Sequence, residues 1–353
     1  MDFNYLHNTM KKSAYSKRPF SILDPAQRDA FAFILEIILL ETGARSSWEH
    51  WQDQQLKALT SHAKKRSEFW KRRIGSKKPT LKTLKLLPVL DRKDVIKQVA
   101  SEGALITEAD KIGASKNSSS GSSGTPVGFY VSRVNGRYNA VRGIAQDFME
   151  QRNLRENRVK VSSATSDQAA GKKSYIKAAN ISGWLGPLAN VFEHGITKKI
   201  SYLNESDALI KELRKVTPHH LICSPSIMDI ILGIGGVELL KGLGVKRWIQ
   251  FAGHRSRDVE KDFRDAGIAI SANYSSEETG PIAFECSENP GYYHVAISNV
   301  IVETDDSLTA EVNGETLSRV LITHLHSYAT PFIRYDIGDF AKLSRSCECG
   351  HDG

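Results

Sequence analysis

Apolar residues fall into two textures along the chain: up to about residue 100 they recur at helical spacing, and beyond about residue 120 short β-rich runs alternate with helical stretches. Asp24-Pro25-Ala26-Gln27 reads as a capping box with proline at the first helical position. The apolar segment Phe31–Leu40 and a stop at Gly43 follow, which predicts a buried helix. Ser46 with Glu49 predicts a second helix through Trp51, Leu56, Leu59, Ala63 and Phe69, with those side chains on one face. Pro88 breaks the run Leu84–Leu90, and Asp91 with Asp94 opens a short helix. Further on, Val159–Ala164, Leu221–Ser224, Trp248–Ala252 and Ile268–Tyr274 alternate with predicted helices over Gly136–Gln151, Ser226–Leu240 and Asp258–Asp265. That alternation predicts an α/β layered fold. Tyr292–Thr304 and Arg319–Leu325, separated by Asp305-Asp306 and Asn313-Gly314, predict a terminal antiparallel meander. The expected organisation is a helical region over 1–100 and an α/β core with terminal β meander over 101–353.

Composition narrows the class. A chain of 353 residues allows two domains or one large α/β unit. Its 40% hydrophobic and 25% charged residues exclude disordered, collagen-like and disulfide-scaffold proteins. Phe31–Leu40, interrupted by Glu36, is far short of the roughly 20 apolar residues of a membrane span, and the N-terminal segment lacks a secretory signal. A cytoplasmic protein with no membrane partner is expected. The net charge of +8 includes clusters such as Lys64-Lys65-Arg66 and Lys71-Arg72-Arg73, which read as solvated helix faces, so no nucleic-acid partner is expected.

Three segments carry candidate chemistry. In Ser118-Ser119-Ser120-Gly121-Ser122-Ser123-Gly124-Thr125-Pro126 the composition is that of a linker, but glycines also let a backbone approach a polyphosphate while hydroxyls and amides donate to its oxygens. The Walker lysine is absent from it, and neither G-x-G-x-x-G nor G-x-S-x-G occurs in the chain. Asn273-Tyr274-Ser275-Ser276-Glu277-Glu278-Thr279-Gly280-Pro281 closes a predicted strand, and Arg334-Tyr335-Asp336-Ile337-Gly338-Asp339 follows the meander. Separately, Cys286, His294, Cys347 and Cys349 supply the number and types of ligand of a closed tetrahedral zinc site. His219-His220 and His324-x-His326 read as structural.

Taken together, the three segments resemble the adenylate-forming superfamily of acyl-CoA synthetases, peptide-synthetase adenylation domains and luciferases. Ser120-Gly121-Ser122-Ser123-Gly124-Thr125-Pro126 is similar to its S-G-T-T-G-x-P phosphate loop, the second segment to Y-G-x-[ST]-E, and the third to Y-R-T-G-D. Gln55-Leu56-Lys57-Ala58-Leu59, Leu87-Pro88-Val89-Leu90, the stretch from Gly280 to Cys286, and Cys347-Glu348-Cys349-Gly350 resemble the phenylacetate–coenzyme A ligase and capsule-biosynthesis branch.

The resemblance implies the large N-terminal domain of an AMP-forming acid–thiol ligase. Such an enzyme binds ATP and Mg²⁺ and lets a small carboxylic acid attack the α-phosphorus. It then passes the acyl group from the adenylate to coenzyme A or a carrier-protein thiol. Ser119, Ser120, Gly121, Ser122, Ser123, Gly124 and Thr125 would hold phosphates, and Gly253 and His254 would border the adenine edge, His254 departing from the family's glutamate. Tyr274 would stack on adenine beside Ser275 and Ser276, and Asp339 would accept from both ribose hydroxyls. One of Glu277 and Glu278 would be the catalytic carboxylate that holds Mg²⁺. Counting back from Gly280-Pro281 selects Glu277, with Ser276 as the phosphate hydroxyl, whereas counting forward from Tyr274 selects Glu278. Trp184, Phe192 and Cys223-Ser224-Pro225-Ser226 fall where the family walls its acyl pocket, although core packing is the simpler explanation. The family's small lid domain, with its catalytic lysine, has no counterpart before Gly353, so nucleotide binding with slow or absent adenylation is expected. Relatives also suggest a homodimer. Alternatives within the fold are an acyl-protein synthetase with Cys347 or Cys349 as acceptor, an adenylyltransferase, or an inactive nucleotide-binding scaffold.

Overall fold

The computed structural model describes residues 2–16, 23–100, 113–119, 126–163, 176–180, 185–202 and 206–351. The chain divides into two compact units: unit 1 is Met1–Leu35 with Val141–Tyr274, and unit 2 is Glu36–Ala140 with Ser275–Gly353. Among the described residues no helix is long and apolar enough to cross a membrane.

The first capping box closes as its sequence predicts. Asp24 Oδ1 accepts from Gln27 N at 2.9 Å and Gln27 Oε1 accepts from Asp24 N at 2.8 Å, which starts the helix Pro25–Glu41. That helix is half-buried rather than buried: Ile34, Ile37 and Ile38 are inside, whereas Leu39 is 70% exposed. The next helix, Arg45–Arg66, has Ala44 at its N-cap without a side-chain cap bond and buries Trp48, Gln52, Leu56, Leu59, Thr60 and Ala63. The continuous helix expected through Phe69 is two helices. Ser67 stops the first and its hydroxyl accepts from Trp70 N at 3.2 Å, capping Glu68–Ile74, because a serine oxygen satisfies the free amides of a new first turn. Asp91 caps Arg92–Ala100 in the same way, accepting from Asp94 N at 2.6 Å.

In unit 2, β1 (Ser115–Ser118) and β2 (Gly128–Val131) pair antiparallel. Beyond them Ser119 N donates to Val127 O and Val127 N donates to Ser119 Oγ, each at 2.9 Å, tying together the two ends of the Ser/Gly segment.

Unit 1 is built on β3 (Arg158–Ser163), β4 (Ile176–Asn180), β5 (Thr197–Tyr202), β6 (His220–Cys223), β7 (Arg247–Phe251) and β8 (Ala269–Ser276). The strand order is β8-β7-β6-β3-β5-β4, parallel except for β4. Val159, Val161, Ile200, Leu221 and Trp248 pack against Leu209 and Leu213 of the helix Ser206–Arg214 and Met228 and Ile231 of Pro225–Gly242. Strands covered by helices carry such continuous apolar positions. Beside them Asp147, at the end of the helix Arg133–Met149, lies between two arginines: Arg152 Nη1 at 3.2 Å and Arg158 Nη1 at 2.8 Å, with all three side chains buried.

The rest of unit 2 follows. β9 (Gly280–Glu285) pairs antiparallel with β10 (Tyr293–Val295), and β11 (Val300–Val312), β12 (Glu315–His324) and β13 (Tyr335–Ala341) form a three-stranded antiparallel sheet. The meander turns at Asn313-Gly314, with φ of 53° and 80°, the left-handed pair such a tight hairpin needs. Tyr292–Thr304 is two strands rather than one, and Asp305-Asp306 is a bulge inside β11 rather than its end. Asp305 Oδ1 accepts from Ser307 N and Oγ, so the local turn is absorbed while pairing resumes beyond it. Leu56, Leu59, Trp70, Leu90, Phe129, Leu325 and Phe332 belong to this unit's core.

Candidate functional site

In an open parallel sheet, ligands bind outside the carboxyl ends of the strands. In unit 1 those ends carry Ala252-Gly253-His254 after β7 and Tyr274 on β8, neighbouring strands in which Phe251 pairs with Asn273. Ala252 and Gly253 both have left-handed φ, 54° and 69°. Gln250 Nε2 donates to Gly253 O at 2.9 Å, and Arg255 Nη1 donates to Gln250 Oε1 at 3.0 Å, which fixes the loop and leaves His254 exposed. Phe192 packs with Phe31 and Phe148, as core packing predicts. Trp184 lies outside the described residues.

In unit 2 the turn between β8 and β9 is closed by Ser276, whose hydroxyl accepts from Thr279 N at 3.1 Å and meets Thr279 Oγ1 at 2.9 Å. The two adjacent glutamates then part company: Glu277 is exposed, whereas Glu278 is 8% exposed. Glu278 Oε1 accepts from Tyr335 OH at 3.3 Å and lies 3.9 Å from Arg92 Nη1. Arg92 Nη2 reaches Ser119 Oγ at 3.4 Å, so a carboxylate, a guanidinium and a serine of the Ser/Gly segment stand in one row. Burial, reinforced by Glu278, pushes the Tyr335 hydroxyl far above its ordinary range, so it remains a donor. Ser120, Gly121, Ser122, Ser123, Gly124 and Thr125 lie outside the described residues. Asp339 is exposed on β13, and its neighbour Asp336 is engaged by Arg319 Nε at 2.6 Å and Gly338 N at 3.0 Å. Arg334 is structural, donating from Nη1 to Lys85 O at 3.1 Å and pairing with Glu303 at 3.2 Å. Arg92 and the Tyr335 hydroxyl were not among the sequence candidates; Tyr335 lay inside a motif, but nothing around Arg92 beyond its helix cap marked it.

The four zinc-type ligands do come together. Cys286, His294, Cys347 and Cys349 place their ligand atoms within 4.8 Å of one another. Cys286 Sγ and Cys347 Sγ are 3.8 Å apart, Cys349 Sγ is 3.3 Å from His294 Nε2, and Asn289 Nδ2 donates to Cys347 Sγ at 3.3 Å. The hairpin β9–β10 brings Cys286 and His294 together, since Cys286 N bonds Tyr292 O at 2.8 Å, and Gly350 N closes a tight turn onto Cys347 O at 2.9 Å. Three thiols and an imidazole at this separation fit a tetrahedral zinc, which would supply structural cross-linking rather than chemistry.

No family profile matches the chain, and no curated protein matches its sequence. Among solved structures, 2-hydroxyisobutyryl-CoA ligase in an open conformation with 2-HIB-AMP and CoA aligns at a TM-score of 0.65 and 15% identity, covering 89% of this chain and 69% of that one. The same ligase in its thioesterification state gives 0.64 and 17%, covering 89% and 68%. The fold is that of adenylate-forming enzymes. Both halves of the expected α/β architecture, the mostly parallel sheet and the antiparallel strands toward the C-terminus, belong to it.

Of the paired histidines His219-His220 and His324-x-His326, His219 is half-buried and His220, His324 and His326 are buried parts of the scaffold. His326 Nε2 meets Ser298 O at 2.8 Å, and its ring lies 6.2 Å from that of the fully buried His324. At the amino ends of the unit 1 strands, Glu156 accepts from Lys246 at 2.6 Å and contacts His220 Nε2 at 2.7 Å. Burial would raise the Glu156 carboxyl, but these two partners hold it below its usual range. Burial, aided by Arg158 and opposed by Glu156, pushes the His220 imidazole down to about 4. The unfolded histidine titrates near 6.5, so between those values the unfolded chain binds the extra proton and stability falls as pH drops, by up to ~1.4 kcal/mol per pH unit. Burial shifts His324 and His326 in the same direction. Urea unfolding at pH 7 and pH 5 is expected to show lower stability at pH 5 and a smaller difference in His220→Asn; an unchanged difference would assign the slope elsewhere.

Proposed function

We propose that this chain binds Mg-ATP and activates a carboxylic acid as its acyl-adenylate, for transfer to the thiol of coenzyme A or a carrier protein. The reading rests first on the row formed by Glu278, Arg92 and Ser119 at the entrance to the Ser/Gly segment. A buried carboxylate for a hard cation and a guanidinium for phosphate oxygens are the groups that polyphosphate positioning requires. The neighbouring ligase with the same fold was solved with an acyl-adenylate and CoA, which agrees with this reading. Glu278 rather than Glu277 is the magnesium carboxylate, because Glu277 is exposed. Ser119 to Thr125 hold phosphates with Ser275 and Ser276, Gly253 and His254 border adenine, Tyr274 stacks on it, and Asp339 takes the ribose hydroxyls. The motifs shared with the phenylacetate–coenzyme A ligase branch favour an acid–thiol ligase of that kind. The chain's own residues position and neutralise; the metal, when bound, screens phosphate charge. The Cys286, His294, Cys347 and Cys349 cluster holds a structural zinc, which leaves neither Cys347 nor Cys349 free as an acyl acceptor.

Calorimetric titration of Mg-ATP and AMP tests the reading. Asp339→Ala is expected to weaken both by about 1.5–3 kcal/mol, the scale of lost charge-assisted hydrogen bonds. A folded chain that binds neither nucleotide, or an Asp339→Ala variant that binds both undiminished, would refute the corresponding part.

A further inference from the structure

The turn Ile297-Ser298-Asn299 of unit 2 is held by buried polar side chains from four directions. Gln52 Nε2 donates to Ile297 O at 2.8 Å and to Val300 O at 3.0 Å. Glu41 Oε1 accepts from Ser298 Oγ at 2.5 Å and from Ser298 N at 3.3 Å. Tyr138 OH meets Ser298 Oγ at 2.8 Å, and His326 Nε2 meets Ser298 O at 2.8 Å. Glu41, Gln52, Tyr138, Ser298 and His326 are all at most 5% exposed. Four buried side chains bonded to one turn hold it rigidly. None of its members touches the Glu278 carboxylate among the contacts described, so the row formed by Glu278, Arg92 and Ser119 does not account for it.

The residue at the end of this post does reach that loop. Asn299, fully buried, donates from Nδ2 to Thr279 O at 3.0 Å and to Pro281 O at 2.6 Å. Those carbonyls bracket Gly280, whose φ of +69° turns the chain directly after Glu278 and Thr279; a Cβ there would lie 3.0 Å from Asn139 Oδ1. Ser276 holds the other side of the same turn. Resting on the reading of Glu278 as the magnesium carboxylate, we infer that Asn299 is a positioning residue: its amide, anchored by the Glu41–Gln52–Tyr138–His326 post, sets the loop that presents Glu278 to the metal. One amide clamping two carbonyls fixes both the height and the rotation of the loop, which a packing contact would not.

The test compares Mg-ATP and metal-free AMP binding by calorimetry in the unmodified chain, Glu278→Gln, Asn299→Asp and Asn299→Ala, with thermal unfolding and amide hydrogen exchange across residues 276–282. Asn299→Asp preserves shape but turns an oxygen toward the two carbonyls. The expected result is that both Asn299 variants weaken Mg-ATP about tenfold or more, leave AMP within about twofold, and speed exchange in the 276–282 segment while the rest of unit 2 keeps its protection. Mg-ATP binding within twofold of the unmodified chain in both variants overturns the inference, as does an equal loss of AMP and Mg-ATP, which would mark general damage. The reading beneath it fails separately: a Glu278→Gln chain that binds Mg-ATP as the unmodified chain does removes the metal role, and this inference with it. If either variant is too unstable for titration, exchange in the other decides, and unchanged protection at 276–282 counts against the role.

Discussion

Stripping zinc from the Cys286, His294, Cys347 and Cys349 cluster is expected to be the most destabilising single treatment of this protein. Structural zinc contributes about 10–16 kcal/mol of apparent binding free energy in small zinc domains, and a ligand held at 1,000 times its dissociation constant stabilises the folded state by about 4 kcal/mol. Here the metal would join the β9–β10 hairpin to the turn Cys347–Gly350, segments that also meet through the Asn289–Cys347 bond and the packed rings of His294 and His351. Elemental analysis is expected to return one zinc per chain, and a strong chelator is expected to lower the unfolding temperature by many degrees. Cys347→Ser with Cys349→Ser should lose the metal and show the low transition without chelator. Purified protein without zinc, or a transition indifferent to chelator, would refute the site. Intact mass after incubation with an acyl donor adds a second readout, since thiolates bound to zinc are not expected to become acylated.

Asp147→Ala is expected to cost about 3–5 kcal/mol, because it removes the shared partner of two buried guanidinium groups. The Asp147 side chain is 1% exposed and those of Arg152 and Arg158 are each 8% exposed, so water cannot replace the lost carboxylate. Arg152 keeps Glu150 at 2.7 Å, which offsets part of the loss at that guanidinium. The comparison is Lys261→Ala, which breaks the ion pair Lys261–Asp265 at 2.6 Å on an open helix face and should leave the unfolding midpoint where it was. Urea denaturation of the two variants separates the cases. Equal midpoints would mean that the arginines find other partners when Asp147 is removed.

Local grammar in the sequence carried the elements. The reciprocal Asp24–Gln27 cap, the Asp91 cap, the Asn313-Gly314 turn and the alternation of β-rich and helical runs each depend on residues a few positions apart. Where the reading failed, longer-range competition was responsible: Ser67 served the following helix rather than continuing the first, and the Asp305 turn was absorbed as a bulge by pairing with β12. The candidate zinc ligands were legible by type, because few other roles suit three cysteines and a histidine, but their meeting spans about sixty residues of chain and depends on the β9–β10 hairpin.

By itself, then, the sequence determined the α/β class and most element positions, since helix caps, periodicity and turns are properties of neighbouring residues. Only the tertiary structure decided which of two adjacent glutamates turns inward, that Arg92 faces Glu278 and Ser119, and that Asp147 is shared by two arginines. It also decided that Asn299 clamps the loop after Glu278. In each of these cases the outcome depends on burial and on partners far away in the chain, and a carboxylate or amide looks the same in sequence whether water or a buried guanidinium surrounds it.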